Sequence, residues 1–214
     1  FEKKDKELTN EDWAKWGGWD DTDGWFTETA GSKEQTGLYL KDRQPVELFS
    51  KTFETSLCYK KSKTWTPEPY RKEYITTAYR VTLCAKKAIW FTKNVFPYLI
   101  KQAKKDYAAK LLGYRPESKD FTDWTPEEVK NYLATALEGD GTFQCYSGKK
   151  IKCLCTELKS SDIQYLCDVQ NLANIKLGLV SRLREIGTYK TQEGIKTKYG
   201  LRINCSRRNP NNLG

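Results

Sequence analysis

Two segments of this 214-residue chain match each other, with their Asp-Gly pairs, Asp23-Gly24 and Asp140-Gly141, 117 positions apart. The first segment reads LTNEDWAKWGGWDDTDGWFT and the second reads WTPEEVKNYLATALEGDGTFQ. Each begins with a threonine followed by acidic residues, as the N-cap and first turn of a helix do. Each continues with about three turns of helical pattern, a group of small residues, Asp-Gly and an aromatic-containing strand. Repetition at domain length predicts a chain built twice from one series of elements.

The segments that follow each Asp-Gly pair also correspond in order. The first half predicts strands at GWFTETA and TGLYLKD, a helix from PVELFSKTFETSL, strands at SLCYKKSK and YITTAYRVTLCA, and one long amphipathic helix from about Ala85 to Leu112. The second half predicts strands at GTFQCYS and KKIKCLCTE, a helix from about Ser161 to Ile175, and strands near VSRLREIGTYK and KYGLRINC. We therefore predict an α+β fold, a pseudo-two-fold pair of αββαββα repeats (1–115 and 116–214) with antiparallel sheets, in which the last helix is absent or truncated.

Charge is distributed in blocks along the chain. The net charge is −5 over residues 1–35, +10 over 36–110, −3 over 111–175 and +7 over 176–214, which gives +9 in total. Basic blocks of this size suit a polyanionic partner, although a solvated lysine-rich surface has the same composition. No apolar run approaches the roughly 18 residues of a membrane span, so we expect no membrane association.

The seven cysteines do not form an obvious disulfide framework or zinc site. Their number is odd, histidine is absent, and Cys153 and Cys155 form a single C-x-C pair without a second one. We expect reduced, buried cysteines and an intracellular, reducing compartment, with the particular compartment undetermined. The chain contains no Met and begins at Phe1, so we expect it to be either trimmed or a piece of a longer reading frame.

The motifs LATALEGDG (133–141) and WGGWDDTDG (16–24) resemble the two motifs of a double-motif, single-chain LAGLIDADG homing endonuclease. The first motif departs from the family by Trp16, Trp19 and Asp20, and the second by Thr135 in place of the usual glycine. The resemblance implies a saddle of antiparallel sheets that binds double-stranded DNA, and a monomer with internal pseudo-dimer symmetry. It also implies intron homing or an intein origin, which the sequence does not distinguish.

Small residues in the two motif helices predict a close helix contact that brings Asp23 and Asp140 together. Gly17 and Gly18 would meet Ala134, Thr135 and Ala136 at that contact. Two adjacent carboxylates at helix C-termini repel each other, and a bound divalent cation removes that cost. We expect Mg²⁺ or Mn²⁺, with Ca²⁺ as a non-catalytic substitute, held by these two carboxylates and the main-chain carbonyls of Thr22 and Gly139. A helix-ending turn with glycine in the left-handed conformation is the alternative explanation of each Asp-Gly pair.

The activity that the resemblance implies is metal-dependent hydrolysis of both strands of one specific duplex site. The cut would be staggered across the minor groove and leave 3′ overhangs. The family also implies a polar residue late in the second strand of each repeat, for which Lys41 and, less surely, Glu157 are candidates. It further implies a lysine after a Pro-aromatic-Leu turn, which in PYLIKQAKK (97–105) is Lys101, with Lys104 as the second choice.

Recognition is expected to come from polar side chains on the strands, because alternate strand positions face opposite sides of a sheet. A β-ribbon fits the major groove, where Arg and Lys read guanine and Gln reads adenine, although many of these residues would contact phosphate instead. The candidates for DNA binding are Thr27, Lys33, Gln35, Tyr39, Lys41, Tyr59, Lys61, Lys63, Arg80 and Thr82 in the first half, and Gln144, Tyr146, Lys150, Lys152, Arg182, Arg184, Lys190, Gln192, Lys196, Lys198 and Arg202 in the second.

Two other functions fit the sequence. The first is an RNA-splicing maturase or a catalytically inactive DNA-binding protein of the same fold, of which loss of a motif acid is the usual sign. Both acids are present here. The second is a basic interaction module with unrelated two-fold symmetry and no metal, which predicts no loss of specificity when the strand Arg and Lys residues are changed together.

Overall fold

The structure, a computed structural model, describes residues 7–27, 34–65, 73–147, 152–191 and 194–204. The N-terminal repeat contains α1 (Asn10–Thr22), β1 (Gly24–Thr27), β2 (Gln35–Leu40), α2 (Arg43–Thr52), β3 (Leu57–Trp65), β4 (Glu73–Cys84), α3 (Lys86–Val95) and α4 (Gln102–Leu112). The C-terminal repeat contains α5 (Pro126–Asp140), β5 (Gly141–Ser147), β6 (Lys152–Ser160), α6 (Ile163–Leu177), β7 (Ser181–Thr191) and β8 (Gly194–Asn204).

Two antiparallel four-stranded sheets confirm the predicted fold class. Their strand orders are β1-β2-β4-β3 and β5-β6-β8-β7, which are the same order when the repeats are aligned. The register is equivalent too: Gly24 pairs with Leu38, Leu38 with Val81 and Val81 with Leu57 in the first sheet. Gly141, Leu158, Leu201 and Leu183 form the matching row in the second.

The long helix predicted from Ala85 to Leu112 is two helices, so that part of the prediction is wrong. A 3₁₀ turn spans Phe96–Tyr98, and Leu99 to Lys101 are extended before α4 begins. Pro97 explains the end of α3, because proline has no amide hydrogen to donate and its ring clashes with the carbonyl four residues earlier in a continued helix. The final helix predicted as absent or truncated would fall after Asn204, outside the described residues.

The chain divides into two compact units, one formed by residues 1–18 with 119–214 and the other by residues 19–118. The division falls inside α1, so the first nine residues of that helix belong with the C-terminal repeat. The predicted repeat boundary after residue 115 concerns sequence periodicity, and it stays a prediction. No helix among the described residues has the length and apolar character needed to cross a bilayer.

Each unit has its own aromatic core. In residues 19–118, Phe49 packs against Phe53 and Phe91 with ring centroids 4.5 and 5.2 Å apart, beneath the buried faces of β2 and β4. In the other unit, Trp124 packs edge-on against Tyr132 at 5.6 Å, and the Tyr132 hydroxyl donates to that of Tyr165 at 3.3 Å. Such aromatic pairs add about 0.5–1.5 kcal/mol each beyond the area they bury.

Both motif helices begin with the threonine cap that the sequence predicts. At α5, the Glu128 amide donates to Thr125 Oγ1 and the Thr125 amide donates to the Glu128 carboxylate, which forms a capping box. At α1, Thr9 and Asp12 exchange the same two bonds at 3.2 and 3.1 Å. The spacing of three residues is identical, so both helices start by the same device.

A close contact between α1 and α5 involves three of the predicted small residues. A Cβ atom on Gly18 would lie 2.2 Å from Thr135 Oγ1, 2.3 Å from the Tyr132 carbonyl oxygen and 3.1 Å from the Ala136 nitrogen. The Thr135 hydroxyl has acceptors in both helices: the Lys15 carbonyl at 2.8 Å, and the Tyr132 carbonyl in its own helix at 3.0 Å. Threonine therefore replaces the usual glycine and adds a hydrogen bond across the contact.

Ala134 does not take part in that contact, contrary to expectation. It is exposed, whereas its neighbours Thr135 and Ala136 are buried. Successive helical positions are about 100° apart, so three consecutive residues cannot all face one partner.

We predict that Gly18→Ala destabilises the protein by about 1–3 kcal/mol, because the added methyl group overlaps backbone and side-chain atoms of α5. Helix propensity alone would give stabilisation of up to about 1 kcal/mol, so the two effects have opposite signs. Urea denaturation measures the difference. Ala134→Gln, on the exposed side of α5, is the control and should change stability by less than about 0.5 kcal/mol. A Gly18→Ala protein as stable as the parent would contradict the close contact.

Candidate metal centre and nucleic-acid interface

The two motif aspartates occupy equivalent junctions, at each of which a helix passes directly into a strand. Asp23 lies between the end of α1 at Thr22 and the start of β1 at Gly24, and Asp140 is the last residue of α5 before Gly141 begins β5. The Asp23 amide donates to the Trp19 carbonyl at 2.8 Å, which continues the helical pattern to the aspartate.

The glycine after each aspartate is required by close packing. A Cβ atom on Gly24 would lie 2.1 Å from Asp20 Oδ1, and one on Gly141 would lie 2.0 Å from the Leu137 carbonyl oxygen. The contacted residue is four positions earlier in both cases. Gly141 has φ −88°, and Gly24 also avoids the left-handed region. The alternative of an ordinary left-handed helix-ending turn is therefore wrong.

Asp21, which the sequence reasoning missed, orients the junction in the first repeat. Its carboxylate is buried and accepts bonds from the amides of Ile100 at 2.7 Å and Lys101 at 3.2 Å, just before α4. Those amides precede a helix N-terminus, where a carboxylate is stabilised. Two consecutive acids at the end of a motif helix are the sequence signal, but only the fold shows which amides they reach.

The predicted lysine of the last helix is located at the same junction. Lys101 Nζ is 3.4 Å from the Asp21 carbonyl oxygen, and Lys104 Nζ donates to the Gly24 carbonyl oxygen. Both candidates for the lysine that the resemblance implies, Lys101 and Lys104, therefore lie beside the first motif. Lys41 follows the end of β2 and is exposed.

Asp20 and Lys104 form a second feature that the sequence reasoning missed. Asp20 is fully buried and neither carboxylate oxygen has a hydrogen-bond donor. Burial raises the pKa of Asp20 well above its ordinary value, while the charge of Lys104 opposes that rise. Burial likewise lowers the pKa of Lys104, and Asp20 opposes that change. The motif position of Asp20 is usually apolar in the family that the sequence resembles, so this pair is a local addition.

We predict that Lys104→Leu destabilises the protein by about 1–3 kcal/mol, since it leaves the Gly24 carbonyl without its donor and removes the positive charge that opposes the effect of burial on Asp20. The double variant Asp20→Leu/Lys104→Leu should lose less stability than the sum of the two single variants, because the charge of Lys104 acts on Asp20. Chemical denaturation of the parent, both single variants and the double variant measures the coupling. Additive effects of the two substitutions would contradict an electrostatic interaction between the two groups.

The fit of a divalent cation rests on the chemistry of the donors. Carboxylate and carbonyl oxygens are the ligands that Mg²⁺ and Ca²⁺ prefer, and each junction offers one motif carboxylate together with main-chain carbonyls. Asp23 and Thr22 are in the unit of residues 19–118, and Asp140 and Gly139 are in the other. Within the described ranges, no cluster of three or more His, Cys, Asp or Glu side chains could hold a metal ion.

Most DNA-binding candidates on the described strands share one register set in each sheet. In the first sheet the register pairs Thr27 with Gln35, Tyr39 with Arg80, and Gly37 with Thr82. The buried Leu38, Val81 and Leu83 occupy the alternate set. In the second sheet the corresponding set contains Gln144, Tyr146, Arg182, Arg184, Lys196, Lys198 and Arg202. We name these sets the outer faces of the two sheets.

Five candidates occupy the alternate register set. Tyr59 pairs with Tyr79 next to the row of Leu57 and Val81, yet it is 67% exposed, because β3 and β4 extend past the core. The other four are Lys61, Lys63, Lys152 and Lys190. Lys33, Lys150 and Gln192 lie outside the described residues.

Cysteines are less buried than expected. Cys58, Cys84 and Cys167 are free thiols, but Cys58 and Cys84 are exposed because both fall on the outer face of the first sheet. The expectation of buried cysteines is wrong for these two.

Two arginines on the outer faces are held by neighbouring side chains. Arg184 Nε donates to Glu157 Oε1 at 2.7 Å, and its Nη2 lies at the same distance from that oxygen. Arg80 places its guanidinium carbon 4.5 Å from the centroid of the Trp25 ring. The sequence listed Glu157 only as a candidate for ordering metal-bound water and gave Trp25 no role.

Comparison with known proteins agrees with the resemblance inferred from the sequence. Residues 127–209 match the model of the LAGLIDADG-like domain. The LAGLIDADG homing endonuclease I-GzeII, solved in complex with its DNA target, is similar over 93% of this chain and 79% of its own, with a TM-score of 0.52 and 14% sequence identity. The homing endonuclease I-WcaI, bound to its DNA recognition sequence, is similar over 89% and 76%, with a TM-score of 0.46 and 15% identity.

The chain thus has the fold of the LAGLIDADG homing endonucleases, and its match to the family model covers residues 127–209. No curated protein matches the sequence.

Proposed function

We propose that this protein is a site-specific, metal-dependent DNA endonuclease that makes a staggered double-strand cut in a long duplex target. The observation that carries the proposal is the duplicated junction, in which a capped helix runs straight into a strand through Asp-Gly. The glycine is packed against the residue four positions earlier in both repeats. One such junction would be a local turn, whereas two equivalent ones would supply a carboxylate for each strand of a duplex.

The residues that would hold the cations are Asp23 and Asp140, with the carbonyls of Thr22 and Gly139. Bound Mg²⁺ would supply Lewis acidity toward a phosphoryl oxygen and a water of lowered pKa. Lys101 and Lys104 contribute positive charge beside the first junction, where it would offset the charge of a phosphate. Asp21 fixes the start of α4 and thereby the positions of both lysines.

The exposed charge of the outer faces supports duplex binding. Arg182, Arg184, Lys196 and Lys198 are exposed on one sheet, and Tyr39 and Arg80 are exposed on the other. Arginine and lysine contribute most of the salt-dependent affinity for DNA, while strands in a groove can read base edges. The similarity of fold to an endonuclease solved with its DNA target supports the same partner here.

We predict that Asp23→Asn and Asp140→Asn each reduce cleavage by about 100-fold or more, since each removes one charged ligand while preserving side-chain shape. Binding of the same duplex should change little. The substrate is the uninterrupted joined sequence of the DNA that flanks the coding region, and strand cuts are resolved on denaturing gels. Asp106→Asn, an exposed aspartate of α4, is the control and should cut normally. Normal cutting by both motif variants would show that Asp23 and Asp140 are not required metal ligands.

We also predict that cleavage requires added Mg²⁺ or Mn²⁺ and stops on chelation, whereas Ca²⁺ supports binding without cutting. Ca²⁺ carries the same charge but accepts more ligands at longer distances, so it retains the complex without the geometry for hydrolysis. Gel-shift and cleavage assays on one duplex separate the two effects. Undiminished cutting in chelator would exclude the metal-dependent mechanism. Specific binding without cutting in any metal would favour a maturase or an inactive binder.

A further inference from the structure

Each outer face contains one guanidinium whose position is fixed by a partner reached across a glycine. In the second sheet, β8 lies between β6 and β7, and the β6 residue Glu157 reaches across it to the β7 residue Arg184. A Cβ atom on Gly200 of β8 would lie 2.8 Å from Glu157 Oε1. A larger residue at position 200 would therefore displace the carboxylate that holds the arginine.

The first sheet achieves a comparable result with different residues. There β2 lies between β1 and β4, and the β4 residue Arg80 reaches across it to Trp25 of β1. The β2 residue opposite Trp25 is Gly37, where a Cβ atom would lie 2.0 Å from the Val81 carbonyl oxygen. Register alignment of the sheets makes Gly37 equivalent to Glu157 and Arg80 equivalent to Gly200. The two arrangements are therefore not copies of each other.

We propose, on the basis of the proposed function, that Arg184 and Arg80 are specificity-determining residues that each read a guanine in the DNA target, with Glu157 and Trp25 as their positioning residues. Arginine donates two parallel bonds to O6 and N7 of guanine, and this contact depends on the orientation of the planar guanidinium. A held arginine has lost its rotamer freedom before DNA arrives, so less entropy is lost on binding.

Guanine is a better ligand than phosphate for Arg184 because of the neighbouring carboxylate. The Arg184 side chain is 44% exposed, whereas that of Glu157 is 5% exposed and binds the Nε–Nη2 edge of the guanidinium. The opposite, Nη1 end can still donate to a base edge. A phosphate at the same place would approach the charge of Glu157, while the neutral guanine edge would meet no such repulsion.

The base preference of the wild-type protein and its variants tests this inference. Duplexes are selected by wild-type protein from a randomised pool in Ca²⁺, and each position of the selected site is then substituted in turn. Arg184→Lys should lose discrimination for guanine at one base pair by on the order of 10- to 100-fold while the other positions are unchanged. Arg80→Lys should do the same at a different base pair.

Variants of the positioning residues separate readout from a structural role. Glu157→Gln and Gly200→Ala should reduce discrimination for guanine at the same base pair as Arg184→Lys does. Glu157→Gln should also strengthen binding to unrelated duplex, with a salt dependence steeper by about one phosphate contact, because the freed arginine can pair with phosphate. Trp25→Leu should reduce discrimination for guanine at the base pair that Arg80 reads. Thr188→Ala, on the same strand as Arg184 but in the alternate register set, is the control and should leave the profile unchanged.

The outcomes distinguish this inference from the proposed function. A wild-type profile with clear preferences that Arg184→Lys and Arg80→Lys leave unchanged would overturn the inference alone, even if both variants melt at lower temperature. A wild-type protein without any base preference would overturn the inference and the site-specific function together. Cutting is not needed for the measurement, so an inactive but specific binder would still test the two arginines.

Discussion

The direct passage from helix to strand is the constraint on which the rest of the site depends. At each junction the chain leaves a helix without the usual left-handed residue, and the first strand residue lies against the preceding turn. Only glycine fits there, since any side chain would overlap the helix. The aspartate before it is thereby fixed at the boundary of helix and sheet. An ordinary helix-ending turn would place that carboxylate on a loop, whereas the direct passage holds it between a packed helix and a packed strand.

Around this constraint, the first repeat has an acidic residue, Asp20, that the resembled family does not usually have. Asp20 replaces an apolar residue and is compensated by Lys104, whose ammonium group also binds the Gly24 carbonyl. Asp21 fixes the amides before α4. Helix α4 is thus connected to the first motif through both the amides that precede it and a lysine of its first turn. In the second repeat, the residue corresponding to Asp20 is Leu137, so the two junctions differ in electrostatics while agreeing in backbone geometry.

The sequence predicted the features that depend on local chemistry. Thr9 and Thr125 were identified as caps because acidic residues follow them, and the order of helices and strands along the chain followed from repetition of the pattern. It did not predict features set by tertiary packing. The interruption at Pro97 was hidden by continuous helical periodicity, and Ala134 was assigned to a contact that its own helical angle excludes. Glu157 and Arg184 are 27 positions apart, so their pairing follows from strand order and from the space that Gly200 leaves.

The assignment of the start of α1 to the C-terminal unit determines how these repeats could be exchanged between proteins. Residues 10–18 of α1 belong to the same compact unit as α5, and the Thr135 hydroxyl finds an acceptor on Lys15. A C-terminal repeat transplanted on its own would leave a groove along α5 and a buried hydroxyl lacking that acceptor. A chimaera of two such proteins therefore needs an α1 whose first nine residues pack correctly against the α5 of the other repeat. Recombination that keeps this contact would transfer the start of α1 together with the C-terminal repeat.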